Sequence, residues 1–233
     1  MRKTIWAALA LIMLVSAGIG FAAGRQYSLS SYGFASHDGT TLSTPAWIVE
    51  DMSGRVAEDV RQLVTRDGIK LIPIGNQKET AQAQSELPPD LLASINLPDG
   101  QGLVVVYERK GSHYQAAFSK AESVYSYQLV ADNQLVLTTN SPSADVDERT
   151  YHILHKTPEG YREVWNGLAH RQLRQKQREN HEVLDASVFL DAAQKSMIYF
   201  SLERSLDLTG VPIMEKSSYQ LWRYNERTLR YEK

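Results

Sequence analysis

Between residues 102 and 118 the chain reads Gly-Leu-Val-Val-Val-Tyr-Glu-Arg-Lys-Gly-Ser-His-Tyr-Gln-Ala-Ala-Phe. An apolar β-branched run, a polar turn around Gly111 and a second run opening at Tyr114 are the parts of a β-hairpin. The same grammar returns twice. Residues 151–165 turn through Thr157-Pro158-Glu159-Gly160, with Pro at the second turn position and Gly at the fourth. Residues 219–231 turn through Asn225-Glu226-Arg227, and their large apolar side chains make this hairpin an integral part of a sheet. Residues 103–107 are apolar on both parities, which marks an interior strand covered on both faces.

Further strands fall at residues 124–130 and 134–139, a hairpin with Tyr125, Tyr127 and Leu129 on one face, and at residues 197–202. Residues 183–190 fit either a strand or the end of a helix. Eight or nine strands from Leu103 onward, most joined by short turns, imply an antiparallel meander or a pair of packed sheets. The hairpins, each with an aromatic soon after its turn, resemble at pattern level the blade halves of bacterial extracytoplasmic β-propeller-type repeat proteins. The strands are too few for a usual propeller, and the aspartate-rich calcium loop of the metal-binding repeats is missing. No family is assigned on this likeness.

Ahead of the hairpins the chain changes character. Residues 46–49, Ala-Trp-Ile-Val, read as a short strand. Asp51 or Ser53 then caps a helix whose stripe is Met52, Val56, Val60, Leu63 and Val64, and residues 69–74 form another strand. Pro88 and Pro89 open a short helix through Leu91 and Leu92, and Leu97-Pro98-Asp99-Gly100 is a turn. The expected fold class is therefore mainly β with a small α+β N-terminal part, preceded by an N-terminal hydrophobic helix. Its divisions are a signal peptide or membrane anchor at 1–24, a linker at 25–45, a strand-helix-strand subdomain at 46–100 and a hairpin-rich domain at 101–233.

Arg2 and Lys3 precede an uncharged run over residues 4–24, apolar from Ile5 to Val15. As a helix it extends roughly 30 Å, the thickness of a hydrocarbon core. A cleaved secretory signal and an uncleaved anchor both fit, and either exports the remainder to an extracytoplasmic location. The 25 basic side chains, less Arg2 and Lys3, face 27 acidic ones, so the exported part is mildly acidic and nucleic acid is not an expected partner. The chain has no cysteine, which excludes disulfides, thiolate metal sites and a cysteine nucleophile.

Chemical signatures are sparse. His152 and His155, three apart on a strand, point to opposite faces and do not ligate one ion. His181-Glu182 opens like a zinc-protease motif, but Asp185 stands where a second histidine belongs. His113 with Asp132 or Glu148 is a conceivable scattered triad, and Glu50 with Asp51, or Asp145, Asp147 and Glu148, read as caps or a solvated loop. Tyr125, Tyr127, Trp165, Tyr199, Trp222 and Tyr224 read as cross-strand core and rim pairs or as a groove for a glycan or peptide. No catalytic residue, metal site or cofactor is assigned. The binding candidates are Arg171, Arg174 and Arg178, which share one face if residues 167–180 are helical and would hold an anionic envelope polymer, lipid headgroup or acidic protein. The function expected is a non-catalytic binding or structural module of the cell envelope, membrane-associated through residues 4–24. The alternative is an extracytoplasmic hydrolase acting on envelope material.

Overall fold

A computed structural model describes residues 44–74, 90–130, 134–141, 146–173, 181–191 and 194–233. Twelve antiparallel strands fill most of them. The small sheet holds β1 (Lys70–Ile74), β2 (Asp90–Asn96), β3 (Gly102–Lys110) and β4 (His113–Lys120) in chain order. The large sheet holds β5 (Ser123–Val130), β6 (Gln134–Ser141), β7 (Val146–Thr157), β8 (Gly160–Leu173), β9 (His181–Asp191), β10 (Ser196–Leu206), β11 (Pro212–Asn225) and β12 (Arg230–Glu232), again in chain order. Both sheets are meanders, as short polar turns between adjacent strands require. Among the described residues no helix is long and apolar enough to cross a membrane, and the hydrophobic run at 4–24 lies outside them.

The N-terminal part departs from its expected form. Residues 46–49 open a helix, α1 (Ala46–Arg55), in place of a strand, with Pro45 at its N-cap. Ile48 and Met52, one turn apart, are buried while Glu50 between them is exposed, a pattern of helical rather than strand period. The expected stripe is broken at Val56, whose extended backbone ends α1, and a 3-10 turn (Glu58–Leu63) carries the chain on. Val56, Val60 and Val64 still reach the same apolar cluster, while Leu63 faces solvent. The strand-helix-strand unit is therefore absent, and β1 pairs antiparallel with β2. Leu91 and Leu92 lie on β2, buried on both faces, where a short helix was expected; Pro88 and Pro89 lie outside the described residues. The expected boundary near residue 100 also falls inside the small sheet, since β3 and β4 complete it.

The interior strand is as read. Leu103, Val105 and Tyr107 face α1, Ile48 and Met52, while Val104 and Val106 face the large sheet. There they meet Leu135, Leu137, Leu154 and Tyr161, with Ile74 and Leu92 from the small sheet. Sheet-on-sheet packing of this kind stabilises by about 25 cal/mol for each Å² of apolar surface removed from water.

The chain crosses from one sheet to the other at residues 120–123. Ser123 Oγ donates to the carbonyls of Gly100 and Gln101, and the Asn96 amide exchanges two hydrogen bonds with the Val124 backbone at 3.0 and 3.2 Å. A Cβ on Gly102 would lie 2.6 Å from Ser123 Cα and 2.8 Å from Ile95 O, both backbone atoms that cannot step aside. A Gly102→Ala variant should therefore lose about 3 kcal/mol of unfolding free energy in urea titration. Gly54→Ala, in α1 with open space around its Cβ, should gain up to about 1 kcal/mol.

The large sheet curls. β8 carries two bulges, at Val164 and Ala169, and pairs with β9 only from His170 to Gln172, so the two strands splay beyond that corner. The wedge between the splayed halves is filled by Ile153, Val164, Trp165, Met197, Trp222 and Tyr231. The Tyr199 hydroxyl donates to Leu168 O at 2.9 Å and the Tyr151 hydroxyl to Ala186 O at 3.1 Å, tying the halves together. Residues 167–173 are strand, not helix, and residues 181–191 resolve as strand throughout.

Candidate functional site

Three ionic clusters sit at the joints of this fold. At the crossover, His152 on β7 is 1% exposed. Its Nδ1–H donates to Glu163 Oε2 on β8 at 2.9 Å, and its Nε2 lies 3.0 Å from Thr139 Oγ1 on β6. The Thr139 hydroxyl in turn donates to Glu122, in the crossover itself, and Glu122 Oε2 stands 3.4 Å from Nε2. Asn166 donates to Glu163, and Lys120 approaches it at 3.8 Å. Burial opposes a charge on His152, but hydrogen bonds to Glu122 and Glu163 outweigh it and raise its pKa. The same bonds, led by the one from His152, lower the Glu122 pKa and bring that of Glu163 to about 2. The arrangement is an imidazolium held between two carboxylates, with both ring nitrogens engaged. It fastens β6, β7 and β8 to the crossover.

The second cluster spans the two sheets. Lys156 Nζ of β7 reaches buried Asp90 of β2 at 2.6 Å, and Asp90 also accepts the Arg109 N–H at 2.9 Å. Burial, then neighbouring Asp90, raises the Tyr161 pKa. The third closes the corner of the large sheet, where Asp185 of β9 accepts from His170 of β8 at 2.7 Å and pairs with Arg204 of β10. His170, first of these, holds the Asp185 carboxyl below the ordinary carboxylate range.

The other sequence candidates scatter. His155 points to the opposite face from His152 and stacks near Tyr224 at 5.3 Å, as strand alternation requires. His113 opens β4 in the small sheet, Glu148 sits on β7 beside Arg171 at 3.6 Å, and Asp132 lies outside the described residues. His181 begins β9 opposite Leu206, apart from the Asp185 cluster. Glu50 and Asp51 lie within α1, where Asp51 pairs with Arg55 at 2.7 Å and accepts from the Tyr107 hydroxyl. Asp147 and Glu148 are on a strand, not in a loop, and Asp145 lies outside the described residues. Arg171 is on β8, in strand where a helix was expected, and Arg174 and Arg178 lie outside the described residues. Among the described residues no three of His, Asp and Glu are grouped to hold a metal ion.

Of the six aromatics, Trp165, Tyr199, Trp222 and Tyr224 pack in the wedge and Tyr127 between the sheets. Tyr125 is the bulged residue of β5 and leaves the face of Tyr127 and Leu129; Arg149 lies 3.9 Å over its ring.

The surface that sequence reasoning missed is the outer face of β9, β10 and β11. Register places Phe189, Ile198 and Leu221 in one cross-strand row, with exposures of 61%, 43% and 48%. The neighbouring row holds Phe200 beside Tyr219, itself 78% exposed. Val188 and Tyr199 of the intervening row, and Leu190, Met197 and Trp222 of the row on the other side of Ile198, face the wedge on the opposite face. Compared with protein-family models, with curated proteins and with solved structures, the chain matches none.

Proposed function

We propose that this chain is an extracytoplasmic, non-catalytic binding module of the cell envelope, held at or released from the membrane by residues 4–24, and that it binds a partner through the outer face of β9–β11. The observation that carries the reading is the row Phe189, Ile198, Leu221 with Tyr219 alongside, a contiguous exposed apolar surface apart from the three ionic clusters. Residues 197–202 are apolar on both parities, like residues 103–107, yet only one of their faces is covered by described residues. A sheet surface of this composition is stabilised when a partner removes it from water. The buried, doubly bonded His152 supports a structural role for the His152–Glu163 pair.

The test uses the full chain extracted in mild detergent from its native envelope. It is expected to migrate in an assembly larger than the single chain. A Phe189→Ser, Ile198→Ser, Leu221→Ser variant should leave that assembly while keeping nearly the parental melting temperature. A parent at chain size, or a variant that stays in the assembly, would overturn the reading.

A further inference from the structure

Beside its apolar face, β11 presents a second contact surface, a free edge. Resting on the binding-module reading, we propose that two copies of this chain join edge to edge through β11 about a two-fold axis at Ser218, so that their apolar faces present one continuous surface to the partner.

β12 covers its edge of β11 only at Arg223, Tyr224 and Asn225, so the rest of that edge, from Met214 to Trp222, meets no strand among the described residues. Other edges carry features that discourage pairing: Pro73 within β1, a bulge at Ala117 in β4 and one at Tyr125 in β5. The bulge on β11 falls at Ile213, outside this nine-residue run, which is regular throughout. Its charges do not guard it either. Glu215 stands opposite Arg204 and Lys216 opposite Glu203 on β10, so each is met by the opposite sign within the chain.

The backbone phase fixes the pairing. Tyr224 N–H donates to Lys195 O toward β10, and direction alternates along a strand, so Glu215, Ser217, Tyr219 and Leu221 present N–H and C=O to the free edge. An antiparallel copy centred on Ser218 uses the whole run and sets these groups opposite each other, Glu215 against Leu221 and Ser217 against Tyr219. On the other face Lys216 meets Gln220 and Met214 meets Trp222, so no like charges are opposed. Registers centred on Glu215 or Lys216 would oppose like charges. Centred on Ser218, the two Tyr219 rings become diagonal neighbours across the axis, within aromatic reach. The row Phe200, Tyr219, Tyr219, Phe200 then runs unbroken through both copies, flanked by Phe189, Ile198 and Leu221 of each.

The chain has no cysteine, so a single Ser218→Cys variant reports on the axis directly. The two copies of residue 218 form a non-hydrogen-bonded pair, whose Cα separation of about 4.5 Å is within disulfide range. Under mild oxidation the full-length variant should give a covalent dimer, while His113→Cys, on the small sheet, should not. Adding Ser217→Pro, which removes an N–H aimed at the free edge, should abolish the cross-link and leave the melting temperature near that of Ser218→Cys. In sedimentation equilibrium the unmodified chain should have twice the chain mass, and Tyr219→Lys should have the chain mass. A monomeric parent, or cross-linking of Ser218→Cys no faster than of His113→Cys, would overturn the proposal. If the larger envelope assembly persists in that case, the edge-to-edge pairing alone falls; if it is absent too, the binding-module reading falls with it.

Discussion

A His152→Ala variant is expected to unfold with about 3 kcal/mol less free energy than the parent at pH 6, because it strands Glu122 and Glu163 at a largely buried joint. The loss should depend on pH in a defined direction. The His152 pKa is raised above the ordinary 6.5, so its contribution is complete below pH 6.5 and disappears as pH rises through the folded value. Glu163 is lowered from 4.5 to about 2, so its contribution is complete above pH 4.5 and disappears as pH falls toward 2. The parent chain therefore draws its full benefit from this cluster between about pH 4.5 and 6.5. Urea titrations of both proteins from pH 3 to 9 check this. The difference between them should be largest inside that window and shrink on either side.

Tyr231→Ala is expected to cost about 4 kcal/mol, although the residue lies two positions from the C-terminus. Its ring is buried in the wedge, 5.4 Å from that of Tyr224, and its hydroxyl accepts from buried Gln134 Nε2 at 3.1 Å. Truncation opens a cavity where the curled sheet closes on itself and leaves the Gln134 amide without that partner. Tyr231→Phe keeps the ring and should cost about 1 kcal/mol. Thermal or urea unfolding of the two variants separates packing from the hydrogen bond.

The C-terminal hairpin shows how far a sequence carries. Its turn was legible because Asn225 accepts from Arg227 and Thr228 backbone N–H groups, a local device that the residue types announce. The burial of its side chains was not. Tyr231 is core and Trp222 and Tyr224 line the wedge, but Tyr219 and Leu221 face outward, because alternation along β11 sends only one parity inward. Bulges defeat the same reasoning elsewhere: Tyr125 leaves the face of Tyr127 because one extra residue in β5 resets the parity. At residues 46–49 an apolar β-branched run looked like strand, and the turn-spaced pair Ile48 and Met52 decided for helix only once a sheet lay beneath it. The ionic clusters were beyond sequence reading. Glu122, Thr139, His152 and Glu163 come from the crossover and three strands, and only register brings them together.

The both-parity pattern was legible at residues 103–107 and present at residues 197–202, and its second occurrence is the more informative. In the first, the chain covers both faces; in the second, it covers one. The central claim is that a partner covers the other. Side-chain oxidation footprinting of the protein in its native envelope, compared with the purified Tyr219→Lys variant at low concentration, tests this most directly. Phe189, Ile198 and Leu221 should be oxidised several-fold more slowly in the envelope, while exposed Tyr125 and Leu63 react equally in both. Equal oxidation of all five side chains in the two settings would contradict the claim.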